Sequence, residues 1–448
     1  MDELGFYQRL TSAGLSSNQA AVKAALFLRA RGALPESRRS DDCHYWFVPG
    51  RIEFLGKHTD YAGGRSLICA VERGFCVTAA CRGDSVVRIT DSARKESVEL
   101  SISPDLMPRT GHWSNYAATV LSRVAQNFPG SIRGAEIVFT SDLPPASGLS
   151  SSSALIIAIF EAIAWVNGLK ERIEYKSNIS SIEDLAGYLG TVENGQTFGF
   201  LQGRQGVGTF GGSQDHTAIL CCRAGALSQY SFCPVRCEGT ISLPEDYVFV
   251  IGVSGVSADK TGNALDKYNR VSLLAREVLS IWNDTEDRTD ETLMAAVSSP
   301  SFDDDRIRKA IHSARSPYPA IELVNRLQQF IEECFEIIPE VARKLIEGRL
   351  DQIGELVDRS QDAAERRLGN QVPETIGLAR LARELGAAAA SAFGAGFGGS
   401  VWALVSVDRA ETFAVEWAER YRSQFPESAI ASHFFLTRPG PSLIDFEN

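Results

Sequence analysis

Basic residues are in short supply. The chain of 448 residues carries 45 Lys and Arg against 56 Asp and Glu, for a formal net charge of -11. A nucleic-acid binder must neutralise phosphates with a basic face, so this balance excludes nucleic acid as an expected partner. It does not exclude a nucleotide, which needs only local positive charge and backbone N–H groups. Long apolar runs are also missing. The most hydrophobic stretch, Ala154 to Val166, is interrupted by Glu161 and is too short to span a bilayer. Met1 to Leu10 carries acidic residues and no apolar segment of the secretory kind. A cytoplasmic protein with no membrane partner is the expectation. The nine cysteines are an odd number in a large chain, and Cys221-Cys222 and Cys233-x3-Cys237 lack the paired CxxC or HxxxH partners of a zinc site. They read as reduced thiols rather than as a disulfide framework. No repeat at a solenoid period is present.

What is present is ordinary globular composition, 44% hydrophobic and 23% charged, in a chain long enough for more than one domain. Residues 1–40 have helical spacing and end in the polar run Glu36 to Asp42. Tyr45 to Val48 reads as a short strand that runs into Pro49-Gly50, where a loop is expected to open. Ser66 to Arg82, Val86 to Leu100, Gly134 to Thr140, Tyr247 to Val253, Val401 to Val407 and Ser432 to Leu436 have the alternation and β-branched content of strands. Trp113 to Phe128, the apolar stretch up to Asn167, Ser181 to Glu193, Ala320 to Ile353, Gln361 to Leu385 and Ala410 to Gln424 read as helices. Residues 283–317 are acidic and weakly periodic, which predicts a surface excursion around a short helix. Strands and helices mix without strict alternation, which favours an α+β fold over a doubly wound sheet. A domain boundary is expected near residue 240.

Four segments carry chemistry. Gly50-Arg-Ile-Glu-Phe-Leu-Gly-Lys-His-Thr-Asp-Tyr-Ala-Gly-Gly64 packs Arg51, Lys57, His58 and Asp60 between glycine turns. That mixture can bind a small polyhydroxylated molecule: Asp60 accepts from paired hydroxyls while Arg51 and His58 donate. Pro144-Pro-Ala-Ser-Gly-Leu-Ser-Ser-Ser-Ser153 stands at the mouth of an apolar helix. Gly148 permits close backbone approach, and serine hydroxyls with free N–H groups at a helix N-terminus receive an anion. Four serines are more than a helix cap requires, and their hydroxyls can also reach a phosphate-bound Mg²⁺. Gly394-Ala-Gly-Phe-Gly-Gly-Ser400 is a glycine-rich turn into a strand, and Gly211-Gly-Ser-Gln-Asp-His216 places an acid after two glycines.

These segments, in this order, resemble the galactokinase family of the GHMP small-molecule kinases. The first is similar to its G-R-x-N-[LI]-[IL]-G-E-H-x-D-Y signature, with Glu53 where the family has Asn and Lys57 where it has Glu. The second is similar to P-x-G-x-G-L-S-S-S-[AS], with Ala146 in place of the first glycine and Gly148, Leu149, Ser150, Ser151 and Ser152 matching. The fourth is similar to C-G-x-M-D-Q and the glycine turn to G-[AG]-G-F-G-G-[CS]. The resemblance runs from Val48 to about Leu436. It implies two α+β domains, 1–240 and 241–448, in the GHMP kinase architecture with the active site between them.

The same resemblance implies roles. Asp215 is the candidate base for a sugar hydroxyl, and Arg51 beside it keeps the carboxylate ionised. Lys57, His58, Asp60, Gly212 and Tyr268 are expected at the sugar. Trp113, in a W-x-N-Y element, is expected at the adenine, although Trp113 and Tyr268 also suit plain core packing. Gly148, Leu149, the serines, Gly394 and Gly396 are expected around the phosphates, and Ser151 with Glu193 around Mg²⁺. Extra residues separate Glu193 from Asp215.

The implied activity is that of an ATP-dependent sugar 1-kinase acting on galactose, with ATP and Mg²⁺ as cofactors, in a monomer. Lys57 opens an alternative. A lysine cannot accept from a hydroxyl but can pair with a carboxylate, so galacturonate or another galacto-configured sugar becomes a candidate substrate. Alternatively Lys57 turns away or pairs with an acid such as Glu53, and galactose binds. A third reading is a galactokinase-like sugar sensor that binds without turnover.

Overall fold

The computed structural model describes residues 1–39, 43–107, 112–130, 132–258 and 263–446. The last part of the polar run expected at Glu36 to Asp42 lies outside them. Among the described residues no helix is long and apolar enough to cross a membrane.

Two sheets organise an α+β fold. The larger contains β1 (His44–Leu55), β2 (Arg65–Cys81), β3 (Val86–Asp91), β4 (Glu96–Ser101), β5 (Ala135–Ser141), β6 (Ala226–Ser231) and β7 (Arg236–Ser242). The smaller contains β8 (Tyr247–Val253), β9 (Ala389–Phe393), β10 (Ser400–Ser406) and β11 (His433–Thr437), in the antiparallel order β11-β8-β10-β9. After β11 the chain returns to the first sheet, where β12 (Ile444–Asp445) pairs with Trp46 and Phe47 of β1.

β2 is the spine of the larger sheet. It pairs with β1 along most of its length, with β5 from Phe75 to Cys81, and with β6 from Arg65 to Ile68. Both faces of β2 are buried, so it reads as nearly continuous apolar sequence rather than strict alternation. Phe75, Val77 and Ala79 face the core built around helix Ser151–Asn167, while Cys76 and Ala80 face the N-terminal helices Glu3–Ser12 and Ser17–Ala33. Those two helices bury Phe6, Leu10, Ala20, Ala24, Phe27 and Ala30, and Phe446 from the C-terminal return stacks edge-on against Phe6 and Phe27. Helix Ser151–Asn167 is buried on nearly every side, which explains its apolar composition. The smaller sheet buries its far face under helices Pro373–Glu384 and Ala410–Gln424, centred on Trp417 and Tyr421.

Two sequence expectations are corrected. The signature does not open as a loop at Pro49-Gly50: β1 continues through both to Leu55, with a register shift between Pro49 and Arg51. Residues 283–317 are not a surface excursion. They form the end of helix Asn263–Glu286 and helices Leu293–Val297 and Asp304–Ser313, which close a hydrophobic cluster of Trp282, Leu293, Ile307 and Ile311. Asp284, Asp287, Asp303 and Asp305 are exposed, whereas Glu286 and Asp290 are largely covered and pair with Arg306 and Arg288. The same cluster includes Ala62 of the signature, and Thr292 packs against Gly63, so this subdomain backs the sugar signature directly.

Candidate active site

β1 delivers Arg51 to the junction of the two sheets. The Arg51 N–H donates to the Leu149 carbonyl at 3.2 Å, and Nη1 donates to the Gly148 carbonyl. Strand and serine loop are thereby fixed to each other. A side chain at Gly50 would stand 2.8 Å from the Leu149 oxygen, so only glycine allows this approach. The Arg51 guanidinium turns two nitrogens onto one oxygen of Asp215, with Nε at 2.8 Å and Nη2 at 2.7 Å. Asp215 sits in the first turn of helix Gln214–Cys221, which the sequence reading missed because it follows a glycine-rich segment. Arg51 is buried, so this charge pair operates where solvent screening is weak.

Two cavities meet at this pair. The smaller, about 40 Å³, is lined by Arg51, Glu53, His58, Asp60, Asp215 and Tyr268, and by Glu193 and His216. The larger, about 470 Å³, is lined by Trp113, Tyr116, Phe75, Phe139, Asp91, Arg94 and the serine loop. Arg51, Asp215 and Ala395 belong to both.

In the smaller cavity, Asp60 Oδ2 accepts from the Gln214 N–H at 3.1 Å. A Cβ on Gly212 would lie 2.4 Å from that same oxygen, so Gly212 is required for the contact. His58 has a left-handed backbone (φ 57°). Its ring faces the Tyr61 hydroxyl at 3.1 Å and the Ala395 carbonyl at 3.0 Å, which links the signature to the glycine turn. The Tyr268 ring lies 5.3 Å from that of His58, and burial holds the Tyr268 phenol well above its usual proton affinity.

Lys57 is elsewhere. It is 1% exposed, is absent from the cavity lining, and donates to Ser391 Oγ at 2.7 Å and Ser360 Oγ at 3.2 Å. Burial lowers its proton affinity, and the Glu333, Glu53 and Glu365 carboxylates oppose that shift. Glu333 Oε1 accepts from the Gly56 N–H at 2.8 Å and from Ser360 Oγ at 3.0 Å, so Lys57 belongs to a polar layer behind the signature. Glu53 does line the cavity. Burial is the largest influence on its carboxyl and pushes the pKa up to about 7, with Arg51 and Lys57 pulling it down and Asp215 adding to the rise.

The serine loop has three left-handed residues, Ala146 (φ 47°), Gly148 (φ 78°) and Ser150 (φ 61°). Ala146 therefore keeps the backbone that the family pattern assigns to glycine. Ser150 Oγ is buried with no hydrogen-bond partner among the described residues, at the N-terminus of helix Ser151–Asn167. Ser151 and Ser152 line the larger cavity, whereas Ser153 turns inward and donates to Glu193 Oε2 at 2.9 Å. Glu193 Oε2 also lies 3.4 Å from His216 Nε2, so the extra residues between Glu193 and Asp215 loop outward and the chain returns. Gly394 packs on the loop from the other side: its Cβ would meet the Gly148 carbonyl at 3.0 Å and Arg51 Nη2 at 3.4 Å. Gly396 is held against Asn370, and Ser400 Oγ donates to the Ser147 carbonyl at 2.6 Å. Leu149 is core.

Trp113 stands at the start of helix Ser114–Asn127, edge-on to Phe139 at 6.3 Å. Phe75, Tyr116 and Phe139 join it in a partly apolar wall that the sequence reading did not assign, since each reads as ordinary strand or helix core. Glu53 and Gln214 are likewise cavity or near-cavity residues that only the fold reveals. Among the described residues no group of three or more His, Cys, Asp or Glu side chains is arranged to hold a metal ion.

Comparison with known proteins agrees with this geometry. The galactokinase galactose-binding signature matches residues 36–81, the GHMP kinases N terminal domain residues 115–195, and the GHMP kinases C terminal domain residues 341–423. A galactokinase of Glaesserella parasuis serovar 5 is 25% identical over 393 residues, covering 84% of this chain and 89% of that protein. One from Actinobacillus pleuropneumoniae is 37% identical over 131 residues, 28% of this chain and 34% of that protein. The crystal structure of Lactococcus lactis galactokinase complexed with galactose superposes with a TM-score of 0.73 at 21% identity, covering 94% of this chain and 99% of that one. Methanococcus jannaschii mevalonate kinase shares the fold more distantly, with a TM-score of 0.51 at 12% identity over 88% of this chain and 98% of that one. With the signature on β1, the serine loop and the glycine turn all meeting at Arg51 and Asp215, the chain belongs to the galactokinase family of the GHMP kinases.

Proposed function

We propose that the protein transfers the γ-phosphoryl group of ATP to the anomeric hydroxyl of galactose, giving galactose 1-phosphate and ADP. The observation that carries this reading is the Arg51–Asp215 ion pair, whose two residues, with Ala395, line both cavities. A sugar in the smaller cavity and a nucleotide in the larger would meet there. The hydroxyl proton goes to Asp215 as the new O–P bond forms, and the P–O bond to ADP breaks with its electron pair on the leaving oxygen. Arg51 keeps Asp215 ionised and stabilises negative charge on the group in transfer. Free N–H groups and hydroxyls of Ser150 to Ser152 receive the phosphates, and Trp113 with its aromatic neighbours receives the base.

Mg²⁺ chemistry suits the donors. Magnesium takes hard oxygen ligands and is held through one or two carboxylates plus substrate phosphates. Glu193, the Ser151 hydroxyl and the orphaned Ser150 Oγ supply that kind of donor. When bound, the ion neutralises phosphate charge. Asp60, His58 and Tyr268 orient the sugar. Lys57 does not face the cavity, so the galacturonate alternative loses the feature that motivated it. The sugar-binding chain acts alone in this reading, as a monomer in the cytoplasm.

The test is ADP release with MgATP against galactose, galacturonate, arabinose and N-acetylgalactosamine. Turnover of galactose with none on galacturonate is expected. ATP binding with no turnover on any sugar would replace the kinase by a sugar sensor.

A further inference from the structure

Glu53 is a residue the galactokinase pattern does not supply, since Asn stands there. It lies two residues from Arg51 on β1 with no register shift between them, so both side chains leave the same face of the strand. It is 4% exposed and lines the smaller cavity beside Asp215. Among the described residues its Oε1 is buried with no hydrogen-bond partner, and so is Nε2 of Gln214, which stands where the pattern has Met. Hydrogen bonding toward the Gln214 amide is the smallest influence on the proton affinity of Glu53, which it lowers, but neither Glu53 Oε1 nor Gln214 Nε2 reaches a partner in hydrogen-bond geometry among the described residues. A buried carboxyl oxygen left unpaired is unfavourable unless something else meets it.

Neighbouring charge does not meet that need. The Lys57 ammonium is held by Ser360 and Ser391, and Glu333 is its largest electrostatic partner. Both Arg51 contacts to a carboxylate go to Asp215. The missing partner is therefore a group that enters the cavity.

We infer that Glu53 is a substrate-contacting residue that sets specificity: its carboxyl binds the sugar hydroxyl on the carbon next to the one phosphorylated. The inference rests on the galactose 1-kinase reading, because the reacting hydroxyl is placed by Asp215 and Glu53 is its neighbour. With a pKa of about 7 the carboxyl accepts from that hydroxyl when ionised and can also donate to it when protonated. The usual signature has an amide at this position and a carboxylate at position 57. Here the carboxylate has moved to the reacting end of the cavity, and the lysine at 57 has left the lining.

The experiment compares kcat/KM for galactose and 2-deoxygalactose in the wild type, Glu53→Gln and Glu53→Ala. The wild type should prefer galactose by about tenfold or more, and Glu53→Ala should erase most of that preference by lowering galactose turnover far more than that of the 2-deoxy sugar. Glu53→Gln keeps the shape and should retain part of the preference. A structural role would lower both sugars together and leave their ratio fixed, and that result overturns the inference while the kinase reading stands. If the wild type turns over neither sugar, the kinase reading fails. Calorimetric binding of the same two sugars to wild type and Glu53→Ala then decides the role of Glu53: a lost discrimination supports it, and equal affinities or no binding overturn it.

Discussion

The two cavities follow their family pattern to different degrees. In the segments proposed to hold the phosphates, Gly148, Leu149, Ser150 to Ser152, Gly394 and Gly396 all stand where the pattern has them, and the one departure, Ala146, keeps the left-handed backbone of a glycine. On the proposed sugar side, Glu53, Gln214 and His216 of the smaller cavity depart, as does Lys57 behind it, and every one is buried. A phosphate loop is built from backbone N–H groups at a helix N-terminus, so its geometry tolerates few changes. A sugar pocket is built from side chains, and one relocated carboxylate can be offset by changes at its neighbours. On the proposed function, the difference teaches that the nucleotide half states the reaction class and the sugar half states the individual substrate.

Removing the pair that joins the halves should have the largest effect. Asp215→Asn should reduce kcat by about 10²–10⁴-fold with the sugar KM little changed, read by steady-state kinetics. A modest loss would mean that the two cavities are not coupled through Asp215. Restoring the family residue at position 57 should damage the protein rather than improve it. Lys57→Glu buries a second carboxylate beside Glu333 and removes the ammonium donor to Ser360 and Ser391, and should cost about 3–5 kcal/mol in chemical denaturation. A stable Lys57→Glu protein with improved galactose turnover would show that position 57 still belongs to the sugar pocket.

Glu53 makes stability depend on pH. Its folded pKa of about 7 lies above the ordinary carboxylate value of 4.5, so the unfolded chain ionises first as pH rises. Stability is therefore lost between about pH 4.5 and pH 7, and the loss is complete above that window. Glu53→Gln should remove it. The variant should be more stable than the wild type at pH 8, by an amount on the order of 3 kcal/mol, with the difference shrinking toward zero near pH 4. A difference independent of pH would place the Glu53 carboxyl in an ordinary, ionised state. The smallest effect is expected on the phosphate side. Ala146→Gly should stabilise by up to about 1 kcal/mol, because glycine holds a positive φ without the Cβ clash, and should leave kcat unchanged.

Much of this was legible in the sequence, for physical reasons. β8 and β10 are short apolar runs between turn residues, and helix Ser151–Asn167 is a long apolar run after a serine-rich loop, so each is encoded locally. The motifs Arg51, Asp60, Gly148 and Asp215 could be ordered along the chain, and the fold brings them together. What could not be read depends on contacts distant in sequence. β12 has two residues and exists only because β1 offers it an edge. Helix Gln214–Cys221 is masked by the glycines before it. The acids of 283–317 hid amphipathic helices whose buried residues, such as Ile307 and Ile311, are few and widely spaced. The direction of Lys57 is set by Ser360, Ser391 and Glu333, roughly three hundred residues away, which no local pattern carries.

The account rests on transfer to the anomeric oxygen at the Arg51–Asp215 junction. Nuclear magnetic resonance of the product from MgATP and galactose labelled with ¹³C at C1 tests it most directly. The account predicts a product whose labelled carbon is coupled to phosphorus, formed by the wild type and not by Asp215→Asn. Phosphate on any other carbon, or ATP and galactose bound together with no product, would contradict it.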